Sequence, residues 1–366
     1  MTGGFLLMPA VMAACRRLLP GIALLVITSC TVAPQPTLTA RGELELLWPP
    51  LPMESRIQWL RAVSDSEDVG ITKGFWDRVK AFLVGEAPRG IIKPYGIFVD
   101  RSDRIFVADS AAGVVHLFDL RANRYLSIGG DRKVFMTPVG ISGDGVDTVY
   151  ITDSSAAAVF RYQVSAQRLT PFLAGALQRP TGIAYHPGNR LLYITDTTTH
   201  QVAAFDGDGR ERLRIGGRGT APGLFNYPTD LCIDARGELY VTDALNARIQ
   251  AFSPDGNFLF HFGAPGDSIG YFEKPKGVAL DSEGHIYVAD AIHDTVQIFD
   301  RNGTLLLNFG TRGGEPGQFW MPSGLFIDSQ DRIYVADSYN RRIQVFQYLK
   351  IAGGATGARP VPGGRP

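Results

Sequence analysis

The sequence predicts an all-β fold made of six repeated units, and three observations support this prediction. An aspartate that closes an apolar run recurs every 43–47 residues. A proline lies 15 or 16 residues before each of these aspartates, and an aromatic residue lies nine residues after each. A repeat of about 40–50 residues that holds four short strands is typical of a β-propeller blade. Six copies therefore predict a six-bladed β-propeller.

The repeated positions can be followed through residues 94–348. The prolines are Pro94, Pro138, Pro180, Pro228, Pro275 and Pro322. The aspartates are Asp109, Asp153, Asp196, Asp243, Asp290 and Asp337. The aromatic residues are Phe118, Tyr162, Phe205, Phe252, Phe299 and Phe346. Because every blade keeps its aspartate, we interpret it as structural rather than as part of a catalytic carboxylate cluster. It is expected to accept backbone N–H groups at the turn after its strand, and to pair with Arg248 or Arg342 in blades four and six.

The sixth repeat contains three strands instead of four, and then a Gly/Pro-rich tail follows over residues 350–366, which we expect to be disordered. A separate segment, residues 56–63, alternates like a strand and lies far from the repeats. Its pairing with the last strand of repeat six would close the ring and remove the free edges. We therefore predict an antiparallel pair between residues 56–63 and 343–348.

Residues 1–30 have the pattern of a targeting segment and are set aside from the fold. Arg16 and Arg17 precede an apolar run at residues 18–29, which is too short to span a bilayer. This run ends in Ile-Thr-Ser before Cys30, which resembles a bacterial lipobox whose cysteine becomes the lipidated N-terminus. The resemblance implies a lipid-anchored protein of the cell envelope, at the outer membrane and facing the periplasm or the cell surface. The alternative is an ordinary secretory signal in which Cys30 is incidental.

Two segments lie between this leader and the repeats. Residues 31–55 contain five prolines and predict an extended tether, within which Trp48 and Leu51 are expected to dock on the propeller. Residues 64–93 form an insert after the closing strand, and apolar residues at helical spacing between 75 and 83 predict one short amphipathic helix there. We expect this helix to dock on the propeller and cap one face. A membrane-surface or partner-binding helix is the alternative, although few basic residues flank its apolar side.

Composition argues against several classes of function. Lys+Arg and Asp+Glu are balanced at 36 each, so no basic surplus indicates a nucleic-acid partner. Cys15 and Cys30 lie in the leader, and Cys232 lies in an apolar strand as a small buried residue. Neither a disulfide nor a Cys/His motif for zinc or haem is therefore predicted.

Positions at which one blade departs from the repeat are the candidates for function. Asp230 stands in blade four at the start of the innermost strand, beside the central channel. The other blades have glycine at this position: Gly96, Gly140, Gly182, Gly277 and Gly324. Lys276 immediately precedes the glycine of blade five, and we predict an ion pair between Asp230 and Lys276, with a small-molecule or ion site as the alternative. The positions equivalent to Lys276 complete a candidate site at the channel mouth, and they are Tyr95, Val139, Thr181, Thr229 and Ser323.

Histidines are the other candidates for chemistry. His200 and His293 follow strand-closing aspartates by four and three residues, so we expect them on the same face of the propeller, in adjacent blades. A catalytic zinc ion needs about three convergent protein ligands, and the other four histidines occupy different positions of the repeat. A lactonase-like calcium site would need several oxygen ligands in the channel, where only Asp230 is expected. No metal ligands are therefore predicted.

Blades four to six contain RIQAF at residues 248–252, RIQVF at residues 342–346, and Tyr-Val-Thr/Ala-Asp in the second strand. These motifs resemble the NHL repeat, and the chain resembles bacterial NHL-repeat lipoproteins, some of which accompany multihaem cytochromes in envelope electron-transfer systems. Proteins with such propellers include protein- and RNA-binding modules, amidating lyases and metal-dependent lactonases, so the fold does not decide the function. We predict a non-catalytic, protein-binding scaffold without a cofactor. The alternative is a lyase or lactonase-like hydrolase with calcium or zinc in the channel.

Overall fold

The structure is a computed structural model, and it describes residues 37–38, 44–71, 90–130 and 133–350. All of these residues belong to one structural unit that begins at Pro34. Four short strands precede the repeats, namely β1 (Thr37–Leu38), β2 (Leu44–Glu45), β3 (Leu47–Trp48) and β4 (Ile57–Val63). The leader with Cys30 and the tail from residue 351 lie outside the described residues.

The repeats form the blades, each with its strands in chain order from the channel outward. The innermost strands are β5 (Pro94–Val99), β9 (Pro138–Gly143), β13 (Pro180–His186), β17 (Pro228–Ile233), β21 (Pro275–Leu280) and β25 (Pro322–Ile327). The second strands are β6 (Arg104–Asp109), β10 (Thr148–Asp153), β14 (Leu191–Asp196), β18 (Leu239–Asp243), β22 (Ile286–Asp290) and β26 (Arg332–Asp337). The third strands are β7 (Val114–Asp119), β11 (Ala158–Gln163), β15 (Gln201–Phe205), β19 (Arg248–Phe252), β23 (Thr295–Phe299) and β27 (Arg342–Tyr348). The fourth strands of blades one to five are β8 (Arg124–Ile128), β12 (Arg168–Ala174), β16 (Glu211–Gly216), β20 (Phe258–Phe262) and β24 (Leu305–Phe309).

The ring is closed by the strand that precedes the repeats. β4 pairs antiparallel with β27, from Ile57 opposite Tyr348 to Val63 opposite Ile343. The indole N–H of Trp59 in β4 also donates to the side-chain oxygen of Gln344 at 2.9 Å. A six-bladed propeller whose last blade is completed by an N-terminal strand is thereby confirmed.

The end of the segment expected to act as a tether is part of the last blade. β3 pairs with β4 and makes this sheet five-stranded. Trp48 is buried, and its ring lies 5.8 Å from that of Phe346 and 6.0 Å from that of Phe309. By contrast, Leu51 is 68% exposed. Residues 47–48 therefore support the propeller directly, which differs from a plain spacer.

The insert between β4 and β5 is described at its two ends. Ile71 and Ile91 are buried in one cluster with residues of blades one and six, and the Ile91 N–H donates to the Ser64 carbonyl at 2.8 Å. The helix predicted over residues 75–83 lies outside the described residues. Within the part of the chain that is described, the one helical element is the 3₁₀ turn Ala244–Asn246, and no helix is long and apolar enough to cross a membrane.

The hydrophobic core lies between neighbouring blades. Before their closing aspartates the second strands are mostly apolar, because another blade covers each of their faces. Four tyrosines at one position of the second strand, Tyr193, Tyr240, Tyr287 and Tyr334, are fully buried. Burial of one large apolar side chain contributes about 1.5–3 kcal/mol, so the regular residues of the repeat stabilise the ring.

Candidate functional site

One face of the propeller carries the segments that lead into the innermost strands and the turns between second and third strands. These two sets of loops are hydrogen-bonded to each other in every blade; for example, the Ser110 N–H donates to the Lys93 carbonyl at 3.1 Å, and the Tyr339 N–H donates to the Trp320 carbonyl at 3.2 Å. Because each innermost strand begins with a proline here, we call this surface the proline face. It surrounds one mouth of the central channel.

The six strand-closing aspartates hold the loops of the proline face. Asp109, for example, accepts the N–H groups of Ile92 and Lys93 at 2.6 and 3.0 Å. Burial raises the pKa of this carboxyl, but the hydrogen bonds from His116 and the backbone outweigh burial and leave the pKa below its usual range. All six aspartates accept backbone N–H groups in this way. Their oxygens are therefore occupied by the fold.

The ion pairs expected in blades four and six are both present. Nε of Arg248 lies 2.8 Å from Asp243, and Nε of Arg342 lies 2.8 Å from Asp337. Arg248 also donates to the Leu224 carbonyl, and Arg342 also donates to the Gln318 carbonyl. Each of the two arginines therefore holds one loop between two blades in place.

Glycine lines the inner ring because the innermost strands of neighbouring blades approach each other closely. A Cβ atom at Gly96 would overlap the Val139 carbonyl, and one at Gly324 would overlap the Tyr95 carbonyl. Blade four breaks this rule with Asp230, which lines the channel cavity and whose carboxyl accepts the Val278 N–H at 3.2 Å. The channel cavity that it lines has a volume of about 230 Å³.

Asp230 titrates unlike an ordinary carboxyl. Burial by the surrounding strands raises its pKa from 3.8 to about 7, and backbone hydrogen bonds from Leu231 and Val278 offset only part of this increase. The charged form is disfavoured because the low dielectric of the channel wall replaces water. Asp230 therefore changes its charge near neutral pH.

The ion pair predicted between Asp230 and Lys276 is wrong. Neither a hydrogen bond nor an ion pair joins these two residues, both of which are described. Asp230 is directed at the backbone of blade five instead. Burial lowers the pKa of Lys276 to about 8, and the cations Lys274, Arg179 and Lys93 lower it further. Lys276 thus belongs to a group of positive charges rather than to a neutral pair.

The other members of the predicted ring differ in their surroundings. Burial and the nearby charge of Asp230 raise the pKa of Tyr95. The Thr181 hydroxyl bonds to two neighbouring threonine hydroxyls at 2.7 and 2.8 Å, and the Ser323 hydroxyl bonds to that of Ser338 at 2.7 Å. The buried Thr229 hydroxyl has no hydrogen-bond partner among the described residues. Thr181 and Ser323 are thus committed to the fold.

The two candidate histidines both lie in turns of the proline face, but the placement in adjacent blades is wrong, because His200 belongs to blade three and His293 to blade five. Nδ1 of His200 accepts the Tyr227 N–H at 3.0 Å. Nδ1 of His293 lies 3.4 Å from Asp290, and its Nε2 lies 3.8 Å from Glu273. Among the described residues, no group of three or more His, Cys, Asp or Glu side chains is arranged to hold a metal ion.

Sequence reasoning missed the exposed apolar residues of the proline face. Met136 is 66% exposed, Leu245 65%, Tyr339 48% and Trp320 45%. The rings of Trp320 and Tyr339 lie 5.5 Å apart, and Nζ of Lys93 lies 5.3 Å from the centre of the Tyr339 ring. These residues occupy loop positions at which the repeat requires no apolar side chain. That departure is the signal that could have identified them.

Comparison with known proteins agrees with this architecture. Residues 152–272 match the family described as SMP-30/Gluconolactonase/LRE-like region. Residues 272–299 and 319–346 match the NHL repeat. A search of curated proteins finds no significant match.

Similar solved structures include proteins with different roles. An auxiliary nutrient binding protein from Bacteroides thetaiotaomicron is 15% identical, with a TM-score of 0.60 and coverage of 86% of this chain and 82% of the other. Virginiamycin B lyase from Staphylococcus aureus is 15% identical, with a TM-score of 0.53 and coverage of 70% and 95%. Regucalcin, a calcium-binding protein from Agrobacterium tumefaciens, is 16% identical, with a TM-score of 0.56 and coverage of 79% and 94%.

These identities are too low to transfer an activity, and the structural similarities show the fold alone. The matched repeats and the six closed blades agree with each other. The chain is accordingly a six-bladed β-propeller whose last two blades match the NHL repeat.

Proposed function

We propose that this protein is a non-catalytic binding module that docks a partner protein on its proline face. The exposed apolar and aromatic side chains of that face carry the proposal. Protein interfaces are enriched in aromatic residues, methionine and arginine, and the rings of Trp320 and Tyr339 lie together and exposed on this face. Trp320, Tyr339 and Met136 have this character, and they are presented by loops that six buried carboxylates hold in place.

A lyase or a lactonase-like hydrolase is the second candidate, and Asp230 is the observation that favours it. A carboxyl with a pKa of about 7 in a channel is suited to general acid–base catalysis near neutral pH. A calcium ion, however, takes six to eight oxygen ligands, and among the residues that line the described channel Asp230 is the one carboxylate. Stoichiometric calcium or zinc in the purified protein, lost on Asp230→Ala, would favour this candidate over the binding module.

We further propose that Cys30 is lipidated and holds the propeller at the cell envelope, at the outer membrane and in an envelope or electron-transfer assembly. The apolar run before Cys30 and the lipobox-like residues support this proposal. A Cys30→Ala variant is expected to leave the membrane fraction for the soluble fraction. If it stays bound to membranes, the anchor lies elsewhere.

The docking proposal can be tested by photocrosslinking in cells. A photoreactive amino acid at Trp320, Tyr339 or Leu245 is expected to capture the same partner protein from each position. Leu306 and Leu259 lie on outer strands, are 50% and 41% exposed, and serve as matched controls. Equal capture from the outer strands, or no capture from the proline face, would reject this surface as the docking site.

A further inference from the structure

Cations recur at one position of the proline face in alternate blades. Lys93, Arg179 and Lys274 each immediately precede the proline that opens an innermost strand. In blades one, three and five that proline pairs with the strand-closing aspartate in the same register. The three cations therefore lie at one level around the channel mouth.

Lys276 adds a fourth positive charge near these three. It lies two residues after Lys274, at the start of β21, and it is half-buried. The three outer cations are close enough to lower its pKa, since they act on it together with burial. Like charges at a half-buried position destabilise one another, so the fold holds this arrangement against an electrostatic cost.

The described acidic groups nearby do not neutralise this cluster. The strand-closing aspartates are occupied by backbone N–H groups, and Asp230 bonds to the backbone of Val278. Glu273 is directed towards His293. The cations themselves have neutral neighbours: Lys93 lies over Tyr339, and Nε of Arg179 donates to the Ser154 hydroxyl at 3.3 Å.

We propose that the channel mouth on the proline face binds a carboxylate of an acidic segment of the partner protein through Lys276, Lys274 and Arg179. This inference rests on the proposed function, since it names the chemistry of the partner at that same face. A polypeptide is favoured over a free anion because Trp320 and Tyr339 flank the mouth. A free phosphate would leave these rings uncovered, whereas apolar side chains beside the acidic residues would cover them.

Peptide binding tests this inference directly. The probe is a fluorescein-labelled ten-residue peptide in which glutamates flank two phenylalanines, and its counterpart has glutamine for every glutamate. Fluorescence anisotropy is expected to show binding of the glutamate peptide that weakens as salt is added. The double variant Lys274→Gln/Lys276→Gln should bind it about tenfold or more weakly, which corresponds to the loss of one strong charged contact.

The matched control is Arg210→Gln/Arg236→Gln, which removes two exposed cations from turns on the opposite face. It should bind the glutamate peptide like the unchanged protein, and circular dichroism should show every variant folded. Equal binding of the two peptides, or unchanged binding by the lysine double variant, would overturn the inference. Saturable binding of inorganic phosphate at these lysines without peptide binding would overturn it as well.

The outcome separates this inference from the proposed function. If a photoreactive amino acid at Tyr339 still captures the partner in cells after both lysines are replaced by glutamine, the docking proposal is supported and the acidic contact is rejected. If the glutamate peptide binds but no position on the proline face captures a partner, the charged site stands and the docking proposal fails.

Discussion

Replacing Asp230 by asparagine tests how far the channel disfavours a negative charge. Its pKa in the folded protein is about 7 instead of 3.8, mainly because of burial. Each pKa unit corresponds to about 1.4 kcal/mol, so the ionised carboxyl lowers the free energy of unfolding by roughly 4 kcal/mol. An asparagine is neutral at every pH and keeps an oxygen that accepts the Val278 N–H. Asp230→Asn is therefore expected to stabilise the protein at alkaline pH.

The sign of the pH dependence follows from the raised pKa. Below about pH 3.8 the carboxyl is protonated in both the folded and the unfolded chain, so Asp230 costs no stability there. As the pH rises towards 7, only the unfolded chain ionises freely, and the cost grows. Above about pH 7 the full cost is present. The stability gained by Asp230→Asn should thus be small in acid and largest in alkali.

Thermal unfolding from pH 4.5 to 8.5 measures this difference. The unfolding entropy is about 2.1 cal/mol/K per residue. Over residues 56–348, a change of 1 kcal/mol in the free energy of unfolding therefore shifts the melting temperature by about 1.6 °C. The melting temperature of the variant should exceed that of the unchanged protein by less than about 2 °C at pH 4.5 and by roughly 6 °C at pH 8.5. Asp255→Asn, at an exposed turn of the same blade, is the control and should shift little. A difference that is constant with pH, or largest in acid, would refute the reasoning.

Three further substitutions probe the parts of the fold that hold the site. Gly324→Ala should lower the melting temperature severely, because the new Cβ overlaps the Tyr95 carbonyl, whereas Gly207→Ala, with open space around it, should change it little. Asp337→Ala should cost about 3–5 kcal/mol in urea unfolding, since it removes a buried carboxylate that pairs with an arginine and leaves backbone donors unsatisfied; a loss below about 1 kcal/mol would contradict the structural role. Trp48→Ala should cost about 3–5 kcal/mol, and a cost like that of an exposed residue would show that β3 does not support the last blade.

The sequence predicted the propeller because its repeat is made of residues that every blade needs. A proline opens each innermost strand and an aspartate closes the next, so the blade count and the missing fourth strand could be read directly. Closure by β4 followed because one strand remained without a sheet. β3 was not predicted, since two residues are too short to show a periodic pattern.

The candidate site was predicted less well, for a physical reason. The repeat register gives the level of a residue in the channel but not the direction of its side chain, so the pair between Asp230 and Lys276 was inferred from proximity alone. Contacts across the ring join residues far apart in sequence, as Lys93 and Tyr339 do. Such contacts follow from closure of the ring and have no local sequence pattern.

The junction between blades four and five contains both departures from the repeat, Asp230 in place of a glycine and the cation Lys276. The hydrogen bonds around the junction connect these two departures. In blade two the Thr152 hydroxyl accepts the Gly140 N–H at 2.8 Å and donates to the Thr181 carbonyl of the next blade at 2.6 Å. Thr242 stands at the same position in blade four, where Asp230 replaces glycine, and its buried hydroxyl has no partner among the described residues.

An unsatisfied buried hydroxyl costs about 1–3 kcal/mol. At this junction blade four lacks the threonine hydrogen bond seen in blade two, and the Asp230 carboxyl accepts the Val278 N–H of blade five instead, with Lys276 on the other side. The junction between blades four and five therefore has a titratable carboxyl, Asp230, and a cation that is unpaired among the described residues, Lys276, in place of regular packing. The chemically distinctive groups of the ring thus lie at one junction, whereas the six strand-closing aspartates, whose oxygens accept backbone N–H groups, hold the fold.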